Sequence, residues 1–343
     1  MREPKVKIHR VLLSGTVTPQ PLPDSLAAPY RLVRDPRLQR VLRVQSALGQ
    51  AIRAYLNGEG FLELLPPIIG PVSDPGIRGA KQATIDYYGR EYKVMSSAIL
   101  YKQMMAASLG KVYFFSPNVR LEPLETASTG RHLVEFVQVD VEEAGASCDD
   151  AMARAEALLA HVSEYARDVL ADDLERFSRS LNGGAPPFRR LAYDEALRIL
   201  ADHGRPIPYG IEIPWEDEEF LSSLYEEPFF VRDYPRAARG FYDREDADRP
   251  GILRDFDLLY PEGYGEAVSG GEREHEYSRV IARLRETGED PSAYGWYLDM
   301  LREGIGPSAG FGIGIERLTR YVCGLKAVWE ARPYPKVAGI YSP

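Results

Sequence analysis

The chain has 343 residues, 44% hydrophobic and 27% charged, which is the balance of a soluble globular protein and not of a disordered or fibrous one. Its net charge of −9 lowers the expectation of nucleic-acid binding, which Lys and Arg contacts to phosphate dominate. Two cysteines, Cys148 and Cys323, make neither a disulfide framework nor a metal cluster, and no stretch reaches the ~18 apolar residues of a membrane span or forms a signal peptide, so a cytoplasmic protein is expected.

Residues 1–34 are proline-rich, with short β-like runs such as Val11-Leu12-Leu13, and read as an N-terminal extension to a single unit over 35–343. Apolar positions from Leu38 to Leu56 recur at helical spacing, and Asn57-Gly58 supplies the stop. Phe61–Leu65 reads as a strand closed by Pro66-Pro67. Residues 68–90 are loop-like, with a turn signal at Asp74-Pro75-Gly76. Met95–Leu109 returns to helical spacing, with Ser96 or Ser97 as a cap and Lys102 near the start. A short apolar run, Val112–Phe115, and the alternation from Phe136 to Asp140 predict two antiparallel strands joined by a long polar loop. Arg120 and Glu122, two apart, are expected on one face of the first strand, and Arg131-His132 close the loop. Asp149–Leu170 and Tyr193–His203 are amphipathic helices. Residues 205–250 look irregular, with one buried strand in EEPFFVRDYP and acidic flanks at Glu216–Glu219. From Asp255 the pattern is strand, glycine-rich turn, strand and a helix through Leu284. Pro307–Leu318 closes the series as strand, then helix.

These elements predict an α+β fold, an antiparallel sheet with helices gathered to one side. Neither GxGxxG after a strand nor GxxxxGK[ST] is present, so a triphosphate would be held by side-chain arginines and metal. Arg120 or Glu122 alone would be an ordinary surface charge. A second arginine constellation far downstream, GFGIGIERL at 310–318, changes the weighting. Its glycines would let a backbone approach a nucleotide or merely allow tight strand packing.

Together, RLE at 120–122, RHLVEF at 131–136 and GFGIGIER at 310–317 resemble motifs two and three of the class II aminoacyl-tRNA synthetases, the aspartyl and asparaginyl branch above all. Gly60–Pro66 is similar to the first motif, which implies a homodimer through that region. The resemblance implies ATP and Mg2+ as cofactors. It assigns Arg120 to the α-phosphate and the reacting carboxylate, and Arg317 to the adenine and γ-phosphate. Arg131 and His132 would lie on a mobile loop over the tail of ATP, Phe136 would stack on adenine, and Glu122 would accept from its amino group. Asp257 and Glu266 would hold the metal, whereas Asp255 better suits a solvated turn acid. Lys102 and Arg273 would grip a carboxylate and Asp140 an ammonium, with Ser97 and Gln138 completing the substrate set. Two cations and one anion favour aspartate over asparagine.

Two features depart from those synthetases. The stretch before the first motif is too short for an OB-fold anticodon module, and Ile99 stands where a glutamine reads the amino acid's α-groups. Both departures, with the segments FYDRE at 241–245, SGGERE at 269–274 and PSAGFGIGIERL at 307–318, resemble an archaeal-type asparagine synthetase related to asparaginyl-tRNA synthetase. That resemblance implies a flipped aspartate whose β-carboxylate meets ATP while Lys102 and Arg273 hold the α-carboxylate. Ammonia then attacks the β-aspartyl-adenylate to give asparagine, AMP and pyrophosphate. With arginine at residue 2 and no poised cysteine, free ammonia is expected over glutamine as donor. A variant amide ligase using another amine, a tRNA-charging enzyme, expected less given the acidic balance, and a catalytically silent sensor remain as alternatives.

Overall fold

Side-chain alternation along paired strands decides which residues face the core and which face a cleft. The computed structural model describes residues 29–74 and 79–340. Residues 1–28, with the Val11–Leu13 run, and Pro75-Gly76 of the turn signal lie outside the described residues. The strands are β1 (Leu62–Leu64), β2 (Ile69–Gly70), β3 (Thr84–Tyr87), β4 (Arg90–Val94), β5 (Lys111–Val119), β6 (Glu135–Ala144), β7 (Arg189–Ala192), β8 (Phe229–Arg232), β9 (Asp255–Tyr260), β10 (Gly265–Glu272) and β11 (Ser308–Gly314). The helices are α1 (Pro29–Leu32), α2 (Pro36–Gly58), α3 (Ile99–Leu109), α4 (Cys148–Val169), α5 (Ala171–Arg176), α6 (Tyr193–Asp202), α7 (Trp215–Ser223), α8 (Tyr277–Glu286), α9 (Gly295–Glu303) and α10 (Ile315–Cys323).

Eight strands form one sheet in the order β1-β5-β6-β11-β10-β9-β8-β7. The interior is antiparallel, as the sequence predicts, but β1 runs parallel to β5 and β7 parallel to β8, so the α+β sheet is mixed at both edges. Asp35 caps α2 by accepting from the Arg37 amide, with Pro36 in the first turn. Ser147 and Asp150 form a capping box at the start of α4. The apolar faces of α2, α4 and α10 cover one side of the sheet, meeting Val139 and Val141 of β6, Phe256 and Leu258 of β9, and Phe311 and Ile313 of β11. The alternate positions on those strands face a cleft.

Two segments differ from expectation. The expected loop over residues 68–90 instead belongs to a small sheet over 69–94, β2-β4-β3, whose tight turn places Tyr88 at φ 51° beside Gly89. The acidic flank at Glu216–Glu219 is the first turn of α7, where Glu216, Asp217 and Glu218 complement the helix dipole. The first strand of the predicted hairpin also ends early: β5 ends at Val119, so Arg120 and Glu122 lie just past the strand. Leu62, Leu65 and Ile68 are exposed around β1.

At Gly310 the glycine serves strand packing, since a Cβ would sit 2.1 Å from the Val141 carbonyl oxygen and 2.2 Å from Glu142 Oε2. Gly310→Ala is therefore expected to destabilise the fold by about 2 kcal/mol or more, as overpacking does, measured by urea denaturation. Wild-type stability would mean that β6 and β11 separate at little cost.

Candidate active site

The open face of the sheet forms the floor of a cavity of about 630 Å3, within the range of small-molecule sites. Phe136, Gln138 and Asp140 reach it from alternate positions of β6. At one end lie Arg120, Glu122, Phe136, Glu266 and Arg317. Arg120 Nε donates to the Ser96 carbonyl at 3.2 Å, and its guanidinium lies 5.1 Å from the Phe136 ring centroid. Glu122 is raised by burial, against the opposing pull of Arg120 and Arg317. Arg317 pairs with Glu266 at 3.2 Å. His132 Nδ1 is 2.7 Å from the Thr129 hydroxyl, and its ring meets Trp215 edge-on.

Arg131 differs from its expected place on a mobile loop. It is buried, donating to the Trp215 carbonyl at 2.8 Å and pairing with Glu218 at 3.1 Å, so α7 pins it to the cavity wall. The sequence gives no sign of this, because residues 205–250 carry no clear helical period over α7.

The metal pair also needs correction. Asp257 is fully buried, pairs with Arg239 at 2.6 Å and does not line the cavity. Asp255, expected to be a solvated turn acid, is buried, pairs with Arg239 at 3.0 Å and does line it. Burial lifts Asp255 well above the usual carboxylate range. Glu266 keeps its place. A register shift between Glu266 and Val268 inserts an extra residue, which lets Ser269, three positions on, share the cavity with Glu266. A carboxylate and a hydroxyl facing one cavity are hard oxygen donors of the kind Mg2+ takes. These two fit the ion, and Asp257, opposite Ser269 across β9 and β10, is held by Arg239 instead of opening on the cavity.

At the other end, Lys102 and Arg273 are each 2% exposed. Lys102 Nζ donates to the Phe311 carbonyl at 2.9 Å and to Asp140 Oδ1 at 3.3 Å. Arg273 pairs with Glu142 and with Asp243, each at 3.2 Å. Glu142 also accepts from the Ser308 hydroxyl at 2.8 Å. Burial lowers Lys102, partly offset by Asp140. The expectation of two cations awaiting a dicarboxylate is thus corrected, because Glu142 and Asp243 already compensate them. Glu142, two positions beyond Asp140 on an alternating strand, was legible; Asp243, brought in across 30 residues by its backbone bridge to Arg273, was not. Ser97 lines the cavity and accepts from the Ile99 amide at 3.3 Å. Gln138 accepts from Asn118 Nδ2 at 3.0 Å.

A sheet-floored cleft with arginines from two distant segments, and no glycine-rich phosphate loop, defines the catalytic core of a class II synthetase. The chain belongs to the tRNA synthetases class II (D, K and N), whose pattern matches residues 24–338. It is 33% identical to the asparagine–tRNA ligase of Pyrococcus abyssi over 98% of this chain and 80% of that protein. The asparagine–tRNA ligase of Thermococcus gammatolerans is 34% identical, over 89% of this chain and 70% of its own. The asparaginyl-tRNA synthetase of Pyrococcus horikoshii, solved in complex with asparaginyl-adenylate, superposes with a TM-score of 0.89 at 32% identity, covering 94% of this chain and 74% of that one. Among the described residues no helix is long and apolar enough to cross a membrane.

Asp243 gives the site a measurable signature. Its carboxyl is pushed up to about 6, because burial penalises the anion more than Arg273 and Arg239 favour it; Asp74 adds to the rise and Arg283 opposes it. The unfolded chain releases that proton near the ordinary value, about 3.9. Between these values the folded state holds more protons than the unfolded, so stability from this group falls as pH rises from about 4 to about 6. Asp243→Asn should flatten the stability profile across that window by up to about 1.4 kcal/mol per pH unit. An unchanged slope in denaturation series would mean Asp243 is ionised throughout.

Proposed function

We propose that the chain activates L-aspartate with ATP and Mg2+ as the β-aspartyl-adenylate and passes it to ammonia, giving asparagine, AMP and pyrophosphate. The observation that carries this reading is the single cavity in which Arg120 and Arg317 face the same space as Lys102 and Arg273. The sequence resemblance to the archaeal-type asparagine synthetase supports ammonia as the acceptor.

In this reading a carboxylate oxygen of aspartate attacks the α-phosphorus of ATP and the bond to pyrophosphate breaks. Arg120 neutralises charge where the attack occurs, its planar fork matching phosphate and carboxylate oxygens. Phe136 stacks on the adenine and Glu122 accepts from its amino group. Arg317, His132 and Arg131 line the path of the leaving pyrophosphate. Magnesium held by Glu266 and Ser269 would screen the phosphates. Lys102 and Arg273 hold the other carboxylate, with Ser97 and Gln138 flanking it. Ammonia then attacks the acyl carbon, AMP leaves with the bridging oxygen, and one proton is lost from nitrogen. Free ammonia is supported by the cysteines, since both are buried and free. Burial pushes Cys323 up to about 12 and Cys148 higher still, which leaves little thiolate for a glutaminase step.

Transfer to tRNA is the second reading. It is favoured by the names of the relatives above, all asparagine–tRNA ligases. It is also favoured by the paired state of Lys102 and Arg273, which suits a neutral carboxamide as well as a carboxylate.

Mass spectrometry after incubation with aspartate, ammonium, ATP and magnesium should find asparagine and AMP. AMP formation that requires tRNA in place of ammonium would establish the second reading. Arg120→Ala should cut AMP formation about 10²–10³-fold, as loss of a transition-state charge donor does. Arg273→Ala should raise the aspartate KM at least about tenfold, each 1.4 kcal/mol of lost binding being a factor of ten. An unchanged KM would mean the acyl end was misassigned.

A further inference from the structure

Arginines that the fold shields from solvent are almost all paired with carboxylates. Arg131 pairs with Glu218, Arg179 with Glu262, Arg239 with Asp255 and Asp257, Arg273 with Glu142, and Arg317 with Glu266. Among the described residues, Arg120 and Arg320 are the partly buried arginines that form no salt bridge. Arg120 lines the catalytic cavity, where it is proposed to meet the α-phosphate. Arg320 lines a second cleft instead.

That cleft has a volume of about 730 Å3, ample for a small ligand. Arg320 opens on it from α10, one turn beyond Arg317. Its Nε donates to the Lys326 carbonyl at 3.3 Å and its Nη1 to the Tyr264 carbonyl at 3.4 Å, both long contacts. Its Nη2 makes no hydrogen bond among the described residues. Lys326, exposed on the same wall, forms no salt bridge among them either. The other ions of the cleft are largely committed, Arg205 to Asp217 at 2.8 Å and Glu262 to Arg179 at 2.6 Å. Glu216 and Glu219 stand on the α7 wall, and Glu219 attracts Arg320 without forming a salt bridge to it. Burial and the like charge of Arg131 lower Arg320, with Arg317 adding to the fall and Tyr264 and Glu219 opposing it. An enclosed guanidinium pressed by its own kind, with donors to spare, is stabilised by an anion.

The cleft adjoins the catalytic cavity, and Trp215 lines both. Arg131 and Arg320 meet opposite ends of one short piece of backbone. Tyr264 accepts from Arg320, and a Cβ on the next residue, Gly265, would sit 2.7 Å from both terminal nitrogens of Arg131. The cations Arg317, Arg131 and Arg320 thus run from one cavity into the other.

We propose that this cleft is a second anion site and that it takes pyrophosphate, the product released at the Arg317 end of the catalytic cavity. The planar fork of Arg320 and the ammonium of Lys326 suit an anion with two phosphoryl groups. The proposal rests on the adenylation reading for the source of the pyrophosphate. Binding itself requires neither amino acid nor acceptor.

Calorimetric titration with metal-free pyrophosphate, in the absence of other substrates, tests it. Wild-type protein should bind two pyrophosphates per chain. Arg317→Ala should keep the one in the cleft. Arg320→Gln should weaken that one at least about tenfold, as loss of a charge-assisted hydrogen bond does, and keep the one in the catalytic cavity. Arg320→Lys should restore part of the affinity, and Lys326→Ala, at an exposed position, should weaken the same site. Wild-type binding by both Arg320→Gln and Lys326→Ala overturns the site, as does a single wild-type site that Arg317→Ala removes, or no binding at all. AMP that displaces pyrophosphate from the cleft overturns the choice of occupant. A cleft that binds pyrophosphate in a protein that forms no AMP from aspartate would remove the adenylation reading and leave the anion site in place. Circular dichroism of each variant separates these outcomes from failure to fold.

Discussion

A lysine and an arginine enclosed beneath a sheet can keep their charges only where carboxylates share the enclosure. Lys102 and Arg273 meet that condition through Asp140, Glu142 and Asp243, drawn from β6 and from the segment that follows α7 and β8. The requirement ties three distant stretches of chain to one point. It also sets the depth and polarity of the pocket in which an amino acid would lie. The same logic recurs at Arg239, held by Glu212, Asp255 and Asp257, which forms a second rigid wall of the cavity.

The end where we propose that the nucleotide lies is built differently. Its arginines come from the loop after β5 and from α10, and Arg317 and Arg120 remain partly open to the cleft. Arg131 is the exception, since Glu218 and the Trp215 carbonyl fix it to α7. Buried, paired cations at one end and more accessible ones at the other suit the proposed reaction, in which one small substrate is held closely and pyrophosphate is released.

Much of this was legible in the sequence, for reasons that can be named. Alternation from Phe136 to Asp140 is a local property, and it identifies the cavity face of β6 without tertiary information. The helical periods of α2 and α4, with their caps, are local in the same way. The mixed edges of the sheet were not legible, because nothing within β1 or β7 encodes the direction of its partner. The pairing of Asp257 with Arg239 was not legible, because Arg239 lies in a segment with no regular pattern. Asp243 was invisible for the same reason, since its meaning depends on Arg273. Cations in the motif segments do not by themselves choose aspartate over asparagine, because the fold brings Asp140, Glu142 and Asp243 to them. Membership of the class II D, K and N group follows from most of the chain, while the acyl acceptor depends on a handful of side chains inside one cavity.

The central claim is that both ends of this cavity act on one carboxylate and one ATP. Isotope exchange between pyrophosphate and ATP, run with magnesium and aspartate but with neither amine nor tRNA, tests it most directly. The account predicts exchange that depends on aspartate and disappears when Arg317 is replaced by alanine. Exchange that is absent under these conditions, or that proceeds equally well without any amino acid, would contradict it.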